Sequence, residues 1–309
     1  MVTRRPKARR MPLEVAVFSG QAALQAQLLG AERVELNSPG SYALGGLTPP
    51  VDELVRVSAR LSIPVHVMIR SRPAPADGRP DFVYGPRDLA RMILAICRFK
   101  ASGVMDPVRG DRFVLGALRE VDEQDDDGSD FGIDDDQEHH DDAHDSDADS
   151  TRPRKRLVID ETICEALVEV SKPFGCVFHR AFDPIAASSP RRCAHALERL
   201  ALLGFDALLT AGGPAGSCCD KPNVDTVDHL CHRMAGRLPL IVGGGLRSHN
   251  VARAAAQLAV YANGDGDARD SPVWFHTAAV KTIDGFHTED LDLDELHDLL
   301  VQLGHIEPA

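Results

Sequence analysis

Aromatic residues are scarce in this chain: three Tyr, one Trp and eleven Phe among 309 residues. Aliphatic side chains and Ala must therefore do most of the packing, and with 43% apolar residues they favour helices laid over buried strands. No apolar run reaches the about 18 residues of a membrane span, so no membrane partner is expected. Basic residues are nowhere interleaved with aromatics, so no nucleic-acid surface is expected either. The seven cysteines are odd in number and lack the spacing of a disulfide framework. A reduced, intracellular protein is the expectation. The strings G-x-S-x-G, H-E-x-x-H and the P-loop are all absent.

Charge is concentrated rather than spread. The chain carries a net −13, yet sixteen acidic residues, and no Lys or Arg, lie between Glu120 and Asp149. Setting those sixteen aside turns −13 into +3, so the rest of the chain is close to neutral. Asp, Ser, His and Gly dominate 120–156, and a segment with so little to bury cannot offset its ordering entropy. It reads as a disordered acidic loop inside one domain, because the pattern before it resumes after it. Its His139, His140 and His144 suit loose contact with divalent ions at most. A basic tail covers 1–11, with Arg4, Arg5, Lys7, Arg9 and Arg10 and no apolar stretch behind it. It reads as a solvated tail rather than a secretory signal.

Short apolar runs alternate with helical patterns over 12–309. Strand candidates are Leu13–Phe18, Arg33–Asn37, Ile63–Arg70, Phe113–Leu118, Gly175–Ala181, Asp206–Thr210, Leu238–Val242 and Val273–Ala278. Helical periodicity falls on 21–29, 51–61, 86–102, 159–170, 190–203, 223–235, 249–258 and 293–303. Eight strand–helix units, with the tail and insertion removed, match a TIM-type (β/α)₈ barrel in number and length. A doubly wound open sheet would place a Gly-rich phosphate turn after its first strand. Here that position reads Phe18-Ser19-Gly20-Gln21, so the barrel is preferred. The eighth unit is its weak point. Residues 262–270 are rich in Gly and Asp where a compact joint belongs, and an irregular or partly open barrel is expected there.

Five strings recur in an order that points to a family. They are Glu32-Arg33-Val34-Glu35-Leu36, Gly45-Gly46-Leu47-Thr48-Pro49, Ile63-Pro64-Val65-His66-Val67-Met68-Ile69-Arg70, Phe178-His179-Arg180-Ala181-Phe182-Asp183 and Val242-Gly243-Gly244-Gly245-Leu246. Together they resemble the CutC copper-homeostasis family from about Leu13 to Ala279. The resemblance implies a TIM-type barrel, a cytoplasmic setting and a role in binding or trafficking copper. It also implies cysteines in the first strand and at the end of the second. This chain has Ala16, Val17 and Asn37 at those places. Homologous barrels often pair, so a homodimer is expected by analogy.

Barrel sites are built at the carboxyl ends of the strands. By strand alternation Glu35 and Asn37 share one side, as do His66, Met68 and Arg70, and again His179, Ala181 and Asp183. The metal candidates are His66, Met68 and His276, a nitrogen-rich copper set. A second function fits the same residues: an enzyme on a small, phosphorylated metabolite. Glu35, His179 and Asp183 would be its acid–base residues, and Arg70 and Arg180 its anion clamps. Gly244 and Gly245 would let backbone N–H groups approach a phosphate, or else simply make a tight turn. Cys176 and His179 are three apart on a strand and face opposite ways. Cys218 and Cys219, with His229, Cys231 and His232, form a cluster whose spacing matches no zinc knuckle; coincidence is the preferred account of it.

Overall fold

A computed structural model describes residues 10–123, 155–234, 237–261 and 272–306. Eight parallel strands close on themselves. In chain order the elements are β1 (Leu13–Val17), α1 (Gly20–Leu29), β2 (Arg33–Leu36), α2 (Val51–Val55), β3 (Val65–Met68), α3 (Pro86–Ser102), β4 (Arg112–Leu115), the hairpin strands β5 (Leu118–Asp122) and β6 (Lys155–Ile159), and α4 (Glu161–Ser171). Then come β7 (Gly175–Phe178), the short α5 (Asp183–Ala186), α6 (Pro190–Leu202), β8 (Ala207–Thr210), α7 (Lys221–Met234), β9 (Leu240–Gly243), α8 (Val251–Leu258), β10 (Val273–Thr277), a second hairpin β11 (Val280–Ile283) and β12 (Phe286–Leu291), and α9 (Leu293–Gln302). The strand order round the barrel is β1, β2, β3, β4, β7, β8, β9, β10 and back to β1.

Alternation along the strands builds two cores. One side chain of each pair points out into the helices, as Phe113, Phe178, Leu208 and Phe275 do. Its neighbour points in, and Met68, Val114, Val177, Ala207, Leu209, Ile241 and Trp274 pack together inside the barrel. This is how few aromatics suffice: the inner core is narrow and mostly aliphatic. Local signals set the helix ends. Ser19 caps α1 by accepting the Ala22 N–H at 3.1 Å, and Gly30 ends it at φ 108°, a left-handed value that glycine adopts without strain.

Three expectations need correction. The barrel does not open at its eighth unit. β10 pairs with β9 on one side and with β1 on the other, in the register Leu13↔Phe275, Glu14↔His276, Val15↔Thr277. Phe275 and Val273 are fully buried, and that burial favours closure; all of 262–270 lies outside the described residues. The expected helix 51–61 is regular only over Val51–Val55. The acidic segment also begins and ends in order, since β5 and β6 pair antiparallel in the register Leu118↔Ile159 to Asp122↔Lys155. The sequence Leu-Arg-Glu-Val-Asp conceals a strand because its charges stay exposed or half-buried, with Asp122 opposite Lys155 and Glu120 Oε2 4.0 Å from Lys155 Nζ, so that pairing takes the place of burial. The remainder of the expected loop, 124–154 with its three histidines, lies outside the described residues, as does the tail over 1–9.

Candidate functional site at the barrel mouth

The site begins at a carboxylate buried inside an apolar strand. Glu14 is fully buried on β1, and three cations or imidazoles converge on it. Arg33, one strand over, donates its Nε–H to Glu14 Oε2 and lays its guanidinium over the Trp274 ring, 3.7 Å from the centroid. His276 Nδ1 lies 2.7 Å from Oε1. His66 Nδ1 lies 2.8 Å from Oε2, off the hydrogen-bonding axis. Burial alone would raise the Glu14 carboxyl, but Arg33, His66 and His276 outweigh it and hold the group well below the usual carboxylate range. Burial, with Arg33 adding to it, pushes His66 down to about 3. For His276 burial works downward too, yet Glu35 and Glu14 win and raise it.

Above this floor lies a cavity of about 280 Å³, lined by residues of several strands and their loops. Its wall includes Glu35, Met68, Arg70, His179, Arg180, Gly244, Gly245 and His276. Two expected members are elsewhere. His66 is turned to Glu14 and does not line the cavity. Asp183 sits behind the wall, where its Oδ1 accepts from Thr210 Oγ1 at 2.7 Å and from the Ala211 N–H at 2.9 Å. Its Oδ2 accepts from Arg180 Nε at 2.7 Å, so Asp183 positions Arg180 rather than facing the cavity. The physical reason is that β7 stops at Phe178. Residues 180–182 form a 3₁₀ turn, so strand alternation no longer applies, and His179 and Arg180 both reach the mouth.

Four lining residues each keep one buried polar atom without a partner: Glu35 Oε2, Asn37 Oδ1, Arg70 Nε and His179 Nε2. Their other atoms are committed. Asn37 Nδ2 donates to Glu35 Oε1 at 3.0 Å. Arg70 donates to the Leu44 and Gly46 carbonyls and pairs with Asp81 at 2.7 Å. His179 Nδ1 accepts the Ala181 N–H at 3.3 Å, which leaves the ring proton on Nε2. Burial, with Arg70 beside it, takes His179 down to about 3, so this ring is a neutral donor. Burial, with Glu14 nearby, raises Glu35. Unpaired buried polar atoms are costly, and one cavity here gathers two acceptors and two donors.

Among the described residues, one group of three ligating side chains has its donor atoms within 4.8 Å of one another: Glu14, Glu35 and His276. Glu14 occupies His276 Nδ1, which leaves Nε2 for a metal, and carboxylates orient metal-binding imidazoles in this way. The sequence reading passed over Glu14, although a lone charged residue in Leu-Glu-Val-Ala-Val is itself a signal. It also passed over Arg33, and over Arg247, which lines the rim and donates to the Leu246 carbonyl at 2.7 Å. Gly244, at φ 127°, leaves space for a neighbour: a Cβ there would stand 3.1 Å from Arg180 Cζ. Cys176 belongs to the outer core, away from His179 in the wall.

The fold and site define a class: a closed (β/α)₈ barrel with an ionisable cluster under its carboxyl-end mouth. Within that class the chain belongs to the CutC family, whose model matches residues 11–125 and 153–263. A human protein named copper homeostasis protein cutC homolog is 30% identical over 248 residues, covering 78% of this chain and 67% of that one. A CutC family protein of Xanthomonas axonopodis pv. citri is 31% identical over 244 residues, covering 78% and 77%. A crystal structure of a CutC protein from Streptococcus agalactiae superposes with a TM-score of 0.58 at 20% identity, over 87% of this chain and 98% of that one; it shares the fold. Among the described residues no helix is long and apolar enough to cross a membrane.

Proposed function

We propose that this protein serves copper homeostasis in the cytoplasm and holds copper at the barrel mouth through nitrogen and oxygen donors. The observation that carries the reading is Glu35 Oε2, a buried carboxylate oxygen with no partner, beside a His276 that Glu14 orients. Family membership supplies the metal's identity as an expectation. The donor set then selects its oxidation state. Cu(I) prefers thiolates and thioethers. Met68 is the one sulfur ligand among the lining residues, and no cysteine lines the cavity. Glu35 and His276, with Asn37 Oδ1 close by, suit a borderline divalent ion, which for copper means Cu(II). Glu14 and Arg33 act from beneath, holding the imidazole in one tautomer. Elemental analysis of natively purified protein should find copper. Glu35→Gln and His276→Ala should each weaken Cu(II) binding by more than the about 10–100-fold typical of losing an outer-shell partner. Wild-type affinity in both variants would end this assignment.

A second reading rests on the two donors. Arg70 Nε and His179 Nε2 lack acceptors in the same wall, and a bare ion cannot supply them. The cavity, at about 280 Å³, is close to the size of small-molecule sites. A small, phosphorylated metabolite would place its anion against Arg70, Arg180 and the turn at Gly244 and Gly245. Glu35 would then be its acid–base residue, with His179 donating its neutral Nε2–H to the anion and Asp183 positioning Arg180. A phosphomonoester at about 100 times its dissociation constant should add about 2.7 kcal/mol of stability, read as a rise in Tm that His179→Gln abolishes. No shift with phosphate or any small phosphomonoester would remove this reading.

A further inference from the structure

The cluster of Cys218, Cys219, His229, Cys231 and His232 does not stay together in the fold. His229 and His232 line a separate groove with Asp225, Asp228 and Tyr261. Cys231 is buried on the core face of α7. What remains is a pair of thiols, Cys218 and Cys219, in the loop from β8 to α7, with their Sγ atoms 3.9 Å apart.

That loop is fastened to the rim of the mouth. The Cys218 N–H donates to the Gly244 carbonyl at 2.8 Å. Ser217 Oγ donates to the Gly245 carbonyl at 3.0 Å and accepts the Cys219 N–H at 3.1 Å. Both glycines line the cavity, so the thiols stand directly behind its edge. Pro214, Ala215, Gly216 and Asp220 on either side are exposed, which leaves the pair beneath a thin surface loop. Arg180 packs its guanidinium against Gly244; the Cys219 contact and burial hold the Cys218 thiol protonated, while the hydrogen bond from Cys218 lowers Cys219.

We propose that Cys218 and Cys219 form a separate soft-metal site, a two-coordinate dithiolate for Cu(I) at the rim of the barrel mouth. A metal–thiolate bond of roughly 2.3 Å lets one ion bridge sulfurs up to about 4.6 Å apart, and 3.9 Å accommodates a bent bridge. Two S–H bonds are lost and two S–Cu bonds form, with two protons released and no change of oxidation state. The resulting centre carries a net charge of minus one. Thiolate ligands are what the mouth itself lacks, Met68 being the one sulfur among its lining residues. The site stands on its own geometry and does not need the mouth to bind metal.

The test uses the full chain, reduced and without oxygen, titrated with Cu(I) against a chromophoric Cu(I) chelator. Wild type should withdraw one equivalent. Cys218→Ser and Cys219→Ser should each lose at least an order of magnitude in affinity. Cys97→Ser, which removes the exposed thiol, Cys231→Ser and Glu35→Gln should not. X-ray absorption should find two sulfurs around copper. Because both thiols pack in the core, a second measurement uses unaltered protein: Cu(I) should shield Cys218 and Cys219 from brief alkylation, mapped by mass spectrometry, while Cys97 stays reactive. Unchanged affinity in the serine variants, a nitrogen and oxygen shell, or equal labelling with and without Cu(I) would each overturn the proposal.

Discussion

Glutamine in place of Glu14 is expected to cost about 3–5 kcal/mol of unfolding free energy, the usual penalty for leaving one charge of a buried pair without its partner. Arg33 would be the stranded charge. It is 6% exposed, and Glu14 is fully buried, so water cannot replace the lost carboxylate. Stacking on Trp274 offers the guanidinium only a weak substitute. His276 and His66 would lose their shared contact as well. Urea unfolding reads the effect as a lower midpoint at constant m. Replacing Glu14 and Arg33 together by methionine should cost less than the two single changes summed, because the stranded charge is then gone. A loss below about 1 kcal/mol in Glu14→Gln, the range of an exposed pair, would show the cluster to be hydrated and the hub wrongly assigned.

The second large effect is acid lability. His66 and His179 both sit near 3 in the folded chain, against 6.5 when exposed. Below pH 6.5 the unfolded chain takes up a proton at each ring and the folded chain does not. The stability these rings contribute is thus complete above 6.5 and declines as pH falls toward 3. At pH 4.5 each ring lies about two units below its unfolded value, worth about 2.7 kcal/mol at 1.36 kcal/mol per unit. Glu14, held low in the folded state, adds to the loss at still lower pH. Glu35 and Asp183, both raised by burial, act the other way, since the folded chain protonates them first. His276 is raised, so its share is present below 6.5 and is lost as pH rises through its folded value. The difference between wild type and His179→Gln cancels these other groups. Its pH dependence should recover about 2.7 kcal/mol between pH 6.5 and 4.5. Parallel curves for the two proteins would mean that His179 is protonated in the fold.

Most of the barrel could be read from one dimension. Parallel strands buried on both faces are short apolar runs, and Ala207–Thr210 or Leu240–Gly243 stand out as such. The strings around Glu35, His66–Arg70, His179–Asp183 and Gly243–Gly245 also carried the family. The hairpins did not stand out, since β11, β12 and the arm of β5 and β6 are held by pairing more than by burial. Asp284-Gly285, at φ 51° and 81°, is nonetheless a recognisable hairpin turn between β11 and β12.

The sequence by itself determined the number and order of the barrel strands, the family, and most of the residues that ring the mouth, because burial and alternation are written residue by residue. Tertiary structure alone decided that β10 closes on β1, that Glu14 gathers Arg33, His66 and His276, and that Asp183 stands behind Arg180. It alone separated Cys218 and Cys219 from the histidines beside them in sequence. Those outcomes depend on register across the barrel and on where a strand ends. Both are settled by packing between segments far apart in the chain, which no local pattern records.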